Sequence, residues 1–257
     1  VQNDASNHAI ALHGDGSLWL SSNGGATWEH DTSTTLPVGF IVTMPGFVHG
    51  VAFFSSSIWE GDISCVDPSS SHLYSRGFWR RSATGELVDV SAGLPTIFAD
   101  CAGEGPRVPQ VLQVFEAPAG LIATTDGSGA FLSDDDGLSW QAIPGSSGVT
   151  QGAVVGDQVW LATSDGLLRS SDGGRLFSRI TGVDGAQIHG IASWNSRLVV
   201  AVSGAASAVL IEANPGELEP IVGLEGLDGT ALQQDKNDLL VGVDGHALYR
   251  VGSCSVD

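Results

Sequence analysis

The sequence repeats one eight-residue pattern, and this repetition constrains the possible folds more than any other feature. Three segments align without gaps on S-x-(D/N)-x-G-x-x-(W/F), at residues 21–28, 133–140 and 170–177. A short Asx side chain accepts backbone N–H bonds within a tight turn, glycine takes the positive-φ position, and the aromatic residue folds back as a plug between strands. The positions with these roles are Asn23, Trp28, Asp135, Trp140, Asp172 and Phe177. They are therefore predicted to be structural residues that hold a hairpin together.

The pattern resembles the Asp-box, or BNR-type, repeat S-x-D-x-G-x-T-W of sialidases, sortilin-type receptors and photosystem assembly propellers. Two weaker copies begin at Ser82 and Glu212. From start to start the five copies are roughly 40 to 60 residues apart, close to the length of a four-stranded propeller blade. The resemblance implies a β-propeller, and the longer spacings imply insertions in the first two intervals.

A second repeat lies upstream of the boxes, where an apolar strand, an Asp-Gly turn and another strand recur. These turns are centred on Asp15, Asp126, Asp165 and Asp244. Asp-Gly between alternating strands is a favoured two-residue hairpin turn. Together the repeats predict an all-β chain in which residues 1–257 form a single β-propeller of about six four-stranded blades with Asp-box hairpins. The inner strands of the blades are predicted at residues 48–53, 109–114, 150–155, 188–193 and 230–234.

The chain is acidic, and this limits its partners. A net charge of −19 repels nucleic-acid phosphates and anionic lipid headgroups. The tight basic group of Arg76, Arg80 and Arg81 is interpreted as a solvated or locally paired segment. The longest uncharged apolar stretch, residues 198–211, is too short to span a bilayer. We therefore expect a monomer with no nucleic-acid partner and no membrane insertion.

The sequence starts at Val1, without Met and without a charged leader region. We therefore expect an exported protein from which a signal peptide has been removed. The compartment would be extracellular or periplasmic. Cys65 and Cys101 could form a disulfide in such a compartment. Cys254 would then be unpaired, exposed or joined to another chain.

Two long segments break the repeat and are the predicted binding surface. An insertion at about 55–78 interrupts blade two, and a long connection covers about 94–108. Trp59 and Tyr74 could stack on a sugar ring or an aliphatic partner, with Asp62 and Asp100 as polar or calcium-binding contacts. The alternative is that these are solvated or packing residues of a decorated loop.

Matched polar residues are also predicted on the inner strands, at His49, Gln110, Gln151 and His189. At the mouth of a central channel they could bind a sugar, a peptide or ordered water, and the two histidines could share a transition metal. The alternative is that they hydrate a narrow pore. The sequence identifies no definite cofactor. Calcium or a transition metal is the candidate for a bound ion.

Three functions fit these observations. The sialidases use three arginines, a Tyr–Glu pair, an Asp and an Arg-Ile-Pro motif, whereas this chain lacks the motif and its first arginine is Arg76, so sialidase activity is not expected. Other Asp-box glycosidases use two paired carboxylates, which spacing alone does not identify. The favoured function is a non-catalytic extracytoplasmic binding module or scaffold for a protein or a glycan. The alternatives are an Asp-box glycoside hydrolase and a metal-binding secreted propeller.

Overall fold

The fold consists of antiparallel sheets. The computed structural model describes residues 2–3, 7–13, 17–34, 41–48, 50–57, 74–82, 84–99, 105–183, 185–203, 208–235, 238–244 and 248–252. Over these residues the chain is all-β, without a helix, and forms six sheets. The chain divides into two compact units, Val1–Ile143 and Pro144–Asp257.

The first unit contains three sheets. Sheet 1 consists of β1 (Gln2–Asn3), β2 (Ala9–Leu12), β3 (Leu18–Ser21) and β4 (Glu29–Asp31). Sheet 2 consists of β5 (Ile41–Val48), β6 (Val51–Ser57), β7 (Tyr74–Arg81) and β8 (Leu87–Asp89), with β9 (Val108–Pro109) also paired to β7. Sheet 3 consists of β10 (Val111–Ala117), β11 (Gly120–Thr125), β12 (Gly129–Ser133) and β13 (Gln141–Ala142).

The second unit also contains three sheets. Sheet 4 consists of β14 (Val149–Val155), β15 (Gln158–Thr163), β16 (Gly166–Ser170) and β17 (Ser178–Ile180). Sheet 5 consists of β18 (Gln187–Trp194), β19 (Arg197–Ser203), β20 (Ala208–Asn214) and β21 (Glu217–Pro220). Sheet 6 consists of β22 (Gly229–Asp235), β23 (Asp238–Val243) and β24 (Leu248–Val251).

Every sheet contains an up-and-down meander, and the second strand contributes buried residues to the core. In β19 all five residues from Leu198 to Val202 are fully buried, because sheets 4 and 6 cover its two faces. The fourth strands are far more exposed, as in β17, where no residue is buried. The predicted all-β class with four-stranded antiparallel sheets is confirmed.

The predicted inner strand at 48–53 is wrong. β5 ends at Val48 and β6 begins at Val51, so that segment spans a turn, and the first strand of sheet 2 lies at 41–48. β5 contains Pro45 and Gly46, which are both unfavourable in a regular strand. They lie where the β5–β6 register shifts between Thr43 and Gly46, a bulge at which a strand tolerates proline and glycine.

The two predicted irregular segments are shorter than the sequence suggested. Residues 55–57 belong to β6 and residues 74–78 to β7, so the insertion in sheet 2 is limited to 58–73, which lies outside the described residues. In the connection, Phe98 and Arg107 form an antiparallel bridge, and β9 then pairs with β7. Spacing along the sequence does not reveal these pairings.

Candidate functional site

The three strong copies of the repeat fold into the same hydrogen-bonded turn. In sheet 3 the Ser133 hydroxyl donates to Asp135 Oδ1 at 2.7 Å and accepts the Gly137 N–H at 2.8 Å. Asp135 in turn accepts the Ser139 N–H at 2.9 Å and the Ser139 hydroxyl at 2.6 Å. Equivalent serine contacts occur from Ser21 to Asn23 and Gly25, and from Ser170 to Asp172 and Gly174.

These contacts keep the turn aspartates ionised. The hydrogen bond from the Ser139 hydroxyl has the largest influence on the pKa of Asp135. Burial has a smaller, opposing effect, and together the hydrogen bonds lower this pKa from 3.8 to about 2. The N–H of Leu176 and the hydroxyl of Ser170 likewise lower the pKa of Asp172. A carboxylate saturated in this way holds a turn together and is a poor proton donor.

The turn network gives a first testable prediction. We expect Asp135→Ala to lower the free energy of unfolding by about 1–2 kcal/mol, because two backbone N–H groups and two hydroxyls lose their acceptor. Asp134→Ala, one position away on an exposed site, is the matched control and is expected to change it by less than about 0.5 kcal/mol. Urea unfolding followed by circular dichroism measures both. Equal effects of the two variants would contradict the role of Asp135.

Of the three predicted aromatic plugs, Trp140 packs between neighbouring sheets, whereas Trp28 and Phe177 are half-buried. Trp140 of sheet 3 is 3% exposed, and its ring centroid lies 5.6 Å from that of Phe78 and 6.3 Å from that of Phe53, both in sheet 2. The backbone N–H of Trp140 donates a hydrogen bond to the backbone carbonyl oxygen of Ala92 at 3.0 Å. A Cβ at Gly93 would lie only 1.8 Å from the Trp140 carbonyl oxygen, so this approach requires glycine.

The groove between sheets 1 and 2 is filled differently. Its plug is Leu87, the first residue of β8, which packs against a cluster containing Ile10 of β2 and Leu18 of β3. These two aliphatic side chains lie on the second and third strands, as Phe53 and Phe78 do in the next sheet. The same cluster also contains Phe47 and the fully buried Phe54, so this groove is filled by a mixture of aromatic and aliphatic side chains.

A cleft of about 310 Å³ opens between sheets 1 and 2. We refer to it as the cleft. Its apolar floor consists of Ala9, Ile10, Leu20, Phe47 and Ala52, and its polar rim of His8, Ser21, Ser22, Thr27, Glu29 and Arg81, with Gly50 beside them. Pockets of this kind, with an apolar floor and a few convergent polar groups, are the usual form of a binding site.

An ion pair closes one end of the cleft. Arg81 at the end of β7 reaches Asp31 of β4, with Nη2 2.9 Å and Nε 3.0 Å from Asp31 Oδ2. Burial would raise the pKa of Asp31, but hydrogen bonds from Ser33 and Thr34, together with the Arg81 charge, hold it well below its usual range. The interpretation of Arg81 as part of a solvated or locally paired group is wrong, because its side chain is 13% exposed and its partner is 50 residues away.

Most of the predicted binding residues lie outside the described part of the chain. These are Trp59, Asp62, Asp100, His49 and the cysteines Cys65 and Cys101, so the insertion surface and the disulfide stay predictions. Tyr74 begins β7, pairs with Pro109 and packs edge-on against Phe98 at 5.2 Å between centroids. Gln110 is 5% exposed, and its Nε2 lies 3.5 Å from Thr43 Oγ1.

The structure corrects the alignment of the inner strands. Each of β10, β14, β18 and β22 carries one extra residue at the same register shift, and these residues are Leu112, Thr150, His189 and Thr230. All four are exposed. The positions equivalent to His189 are thus Leu112 and Thr150, and not Gln110 and Gln151, because the sequence repeat does not show where the bulge lies. His189 Nε2 lies 2.6 Å from Ser203 Oγ.

Two further searches bear on the predicted partners. Among the described residues, no three His, Cys, Asp or Glu side chains are grouped closely enough to hold a metal ion. Nor do those residues form a helix with the length and apolar character needed to cross a membrane.

Comparison with known proteins identifies the fold. No protein-family model and no curated protein matches the chain. A structure of YCF48 bound to D1 peptide matches with a TM-score of 0.59 at 10% identity, covering 99% of this chain and 78% of that one. YCF48 from Cyanidioschyzon merolae matches with a TM-score of 0.53 at 13% identity, covering 96% and 80%. The GH74 enzyme of Niastella koreensis matches with a TM-score of 0.59 at 12% identity, covering 99% of this chain and 37% of that one.

At these identities the likeness shows the fold alone, which is of the β-propeller kind. The chain spans a little over a third of the length of the GH74 enzyme that it matches.

Proposed function

We propose that this chain is an exported, six-bladed β-propeller of the Asp-box type that binds a peptide segment of a protein partner and has no catalytic activity. The observation that carries this proposal is the cleft, which offers an apolar floor and a polar rim within a rigid pair of sheets. The YCF48 structure that is similar over 99% of the chain contains a bound D1 peptide, which favours a peptide over a glycan as ligand.

The Asp-box assignment is supported by turn geometry in all five copies. In the weak copies the first residue still accepts the N–H four positions later: Glu86 N–H donates to Ser82 Oγ at 3.0 Å, and Gly216 N–H to Glu212 Oε1 at 2.8 Å. Six described sheets, five of them containing a four-stranded meander, support a count of six blades. Export and the Cys65–Cys101 disulfide are proposed together, since such bonds persist in oxidising compartments.

Three aspartates of the described residues are unsuited to the acid role in glycoside hydrolysis. A glycosidase needs a carboxylic acid that stays protonated near its working pH, which requires a raised pKa. The pKa values of Asp31, Asp135 and Asp172 are all shifted downward by hydrogen bonds, so these groups stay ionised. The likeness to the GH74 enzyme covers only 37% of that enzyme.

The charge of the chain suggests the character of the peptide. A net charge of −19 attracts cationic segments, and electrostatic attraction of this kind mainly raises the association rate. The exposed Glu29 carboxylate places part of that charge at the rim of the cleft. The insertion carrying Trp59 and Asp62, together with Tyr74 at the start of β7 and Asp100, is proposed as a second contact surface for the same partner.

Parallel binding screens test the proposal. The purified protein is applied to an array of random 12-residue peptides and to a glycan array, and is incubated separately with aryl glycosides and polysaccharides. We expect binding to a set of peptides enriched in Lys and Arg, with dissociation constants on the order of 1–100 μM, weakening as salt is raised. Turnover of a glycoside, or binding to glycans alone, would contradict the proposal.

A further inference from the structure

Two consecutive arginines of β7 have opposite surroundings. Arg81 faces sheet 1 and pairs with Asp31 at 2.9 Å. Arg80 lies directly opposite Phe53 of β6, and opposed residues of antiparallel strands share one face of the sheet, so its side chain lies on the face that packs against sheet 3. Its Nε is buried and donates no hydrogen bond to any residue that the structure describes. A buried cationic donor without an acceptor is unfavourable, and an anionic group of a ligand would satisfy it.

Arg80 lines a cavity of about 210 Å³ between sheets 2 and 3, which we refer to as the arginine cavity. The other lining residues are Val48, Val51, Phe53, Leu121 and Asp136. The cleft is a separate space, because it lies on the opposite face of sheet 2. Sites for drug-sized molecules usually measure roughly 300–1,000 Å³, so the arginine cavity suits a ligand as small as one amino acid.

Asp136 is the second charged group of the arginine cavity. It is exposed in the turn of sheet 3 and has a φ of 59°, in the left-handed region, where the other two strong copies have Gly24 and Gly173. The turn itself therefore has no need of a carboxylate at this position. Asp136 and Arg80 line the same cavity, yet no ion pair joins them. Both charges are thus available to a ligand.

The two charges and the apolar walls define the class of ligand. A guanidinium binds a carboxylate through two parallel N–H···O bonds. The Asp136 carboxylate would repel a second negative charge and attract an ammonium group. The net charge of −19 repels anions from the chain as a whole but not a zwitterion, which has no net charge. The four apolar side chains offer no hydrogen bond, so the remainder of the ligand is aliphatic.

We propose that the arginine cavity binds a free α-amino acid with an aliphatic side chain. The ligand carboxylate binds Arg80, its ammonium group binds Asp136, and its side chain packs against Val48, Val51, Phe53 and Leu121. This small-molecule site is independent of the peptide-binding function, because it uses the other face of sheet 2.

Isothermal titration calorimetry with L-leucine as the probe tests the proposal. We expect a dissociation constant on the order of 100 μM. Two analogues each lack one charge: 4-methylpentanoate has no ammonium group and leucinamide has no carboxylate. Both should bind at least about tenfold more weakly. The proposal is wrong if leucine produces no binding heat up to about 10 mM, or if 4-methylpentanoate or inorganic phosphate binds as tightly as leucine.

Arg80→Gln tests the carboxylate contact. We expect leucine to bind at least about tenfold more weakly to this variant, while the melting temperature without ligand does not fall, because the buried Nε has no acceptor to lose. Arg175→Gln makes the same change at an exposed turn residue of sheet 4 and should leave leucine binding unchanged. A lower melting temperature of Arg80→Gln with unchanged leucine binding would show that Arg80 is a structural residue, against the proposal.

Asp136→Asn tests the ammonium contact and decides the matter if Arg80→Gln does not fold. Asparagine tolerates the left-handed conformation, so the turn is retained. We expect leucine to bind about fivefold or more weakly, whereas 4-methylpentanoate should bind no more weakly than to the wild type. Asp134→Asn removes the same charge from the same turn at an exposed residue that does not line the cavity, and should leave leucine binding unchanged. Equal effects of the two variants on leucine binding would contradict the proposal.

Discussion

Trp140→Ala is expected to lower the free energy of unfolding by about 3–5 kcal/mol, in the range measured for removal of a buried large aromatic side chain. The ring is 3% exposed and contacts Phe53 and Phe78, so its removal leaves a void between two sheets that their strands cannot close without losing register. Its indole Nε1 is buried and makes no hydrogen bond to any residue that the structure describes. The cost is therefore one of packing, and Trp140→Phe should recover more than half of it.

The matched control is Trp19→Ala, the same substitution at a side chain that is 39% exposed and packs on His30 of the neighbouring strand. We expect it to cost about 1 kcal/mol or less. Guanidinium unfolding followed by far-ultraviolet circular dichroism measures both variants. Similar losses for the two would show that Trp140 does not join sheets 2 and 3.

Breaking the Asp31–Arg81 pair should cost about 3–5 kcal/mol, because the partner left behind is a largely buried charge. The Asp31 side chain is 3% exposed and that of Arg81 13%, and the Asp31 carboxylate also accepts hydrogen bonds from Ser33 and Thr34. Asp31→Ala removes all of these contacts at once. The pair joins β4 of sheet 1 to β7 of sheet 2, so its loss should also loosen the cleft.

A second ion pair in the chain provides the control. Arg250 and Asp238 are also 2.9 Å apart, but their side chains are 61% and 29% exposed. Asp238→Ala is expected to cost no more than about 1 kcal/mol, since water screens and replaces an exposed pair. The same unfolding measurement compares the two, and equal costs would contradict a buried role for Asp31.

Asp31 also predicts how stability depends on pH. Its pKa in the folded protein is held below the ordinary value of 3.8, so its contribution is complete above about pH 4 and is lost as pH falls toward the folded pKa. The wild type should therefore lose stability in acid more steeply than Asp31→Asn, in which this position cannot titrate. Parallel acid profiles of the two proteins would contradict the assignment.

Local patterns in the sequence predicted local structure well. Each repeat turn depends on contacts within eight residues, such as Ser139 N–H to Asp135, and these follow from residue type and spacing alone. The all-β class followed from the same periodicity. The exact inner strand of sheet 2 did not follow from the periodicity. Proline and glycine usually interrupt a strand, and at Pro45 and Gly46 a bulge accommodates them.

The features of the candidate site also fall into two groups, those that follow from local sequence patterns and those that depend on contacts between sheets. The sequence by itself determined the meander sheets and the turns that end their third strands, since hairpin pairing and turn hydrogen bonds join residues close in the chain. Only the tertiary structure decided that Leu87 packs against the cluster between sheets 1 and 2, that Arg81 neutralises Asp31, and that a cleft opens beside Glu29. Those contacts join different sheets, and the size of a groove depends on the side chains that several strands bring to it together, which no spacing along one chain encodes.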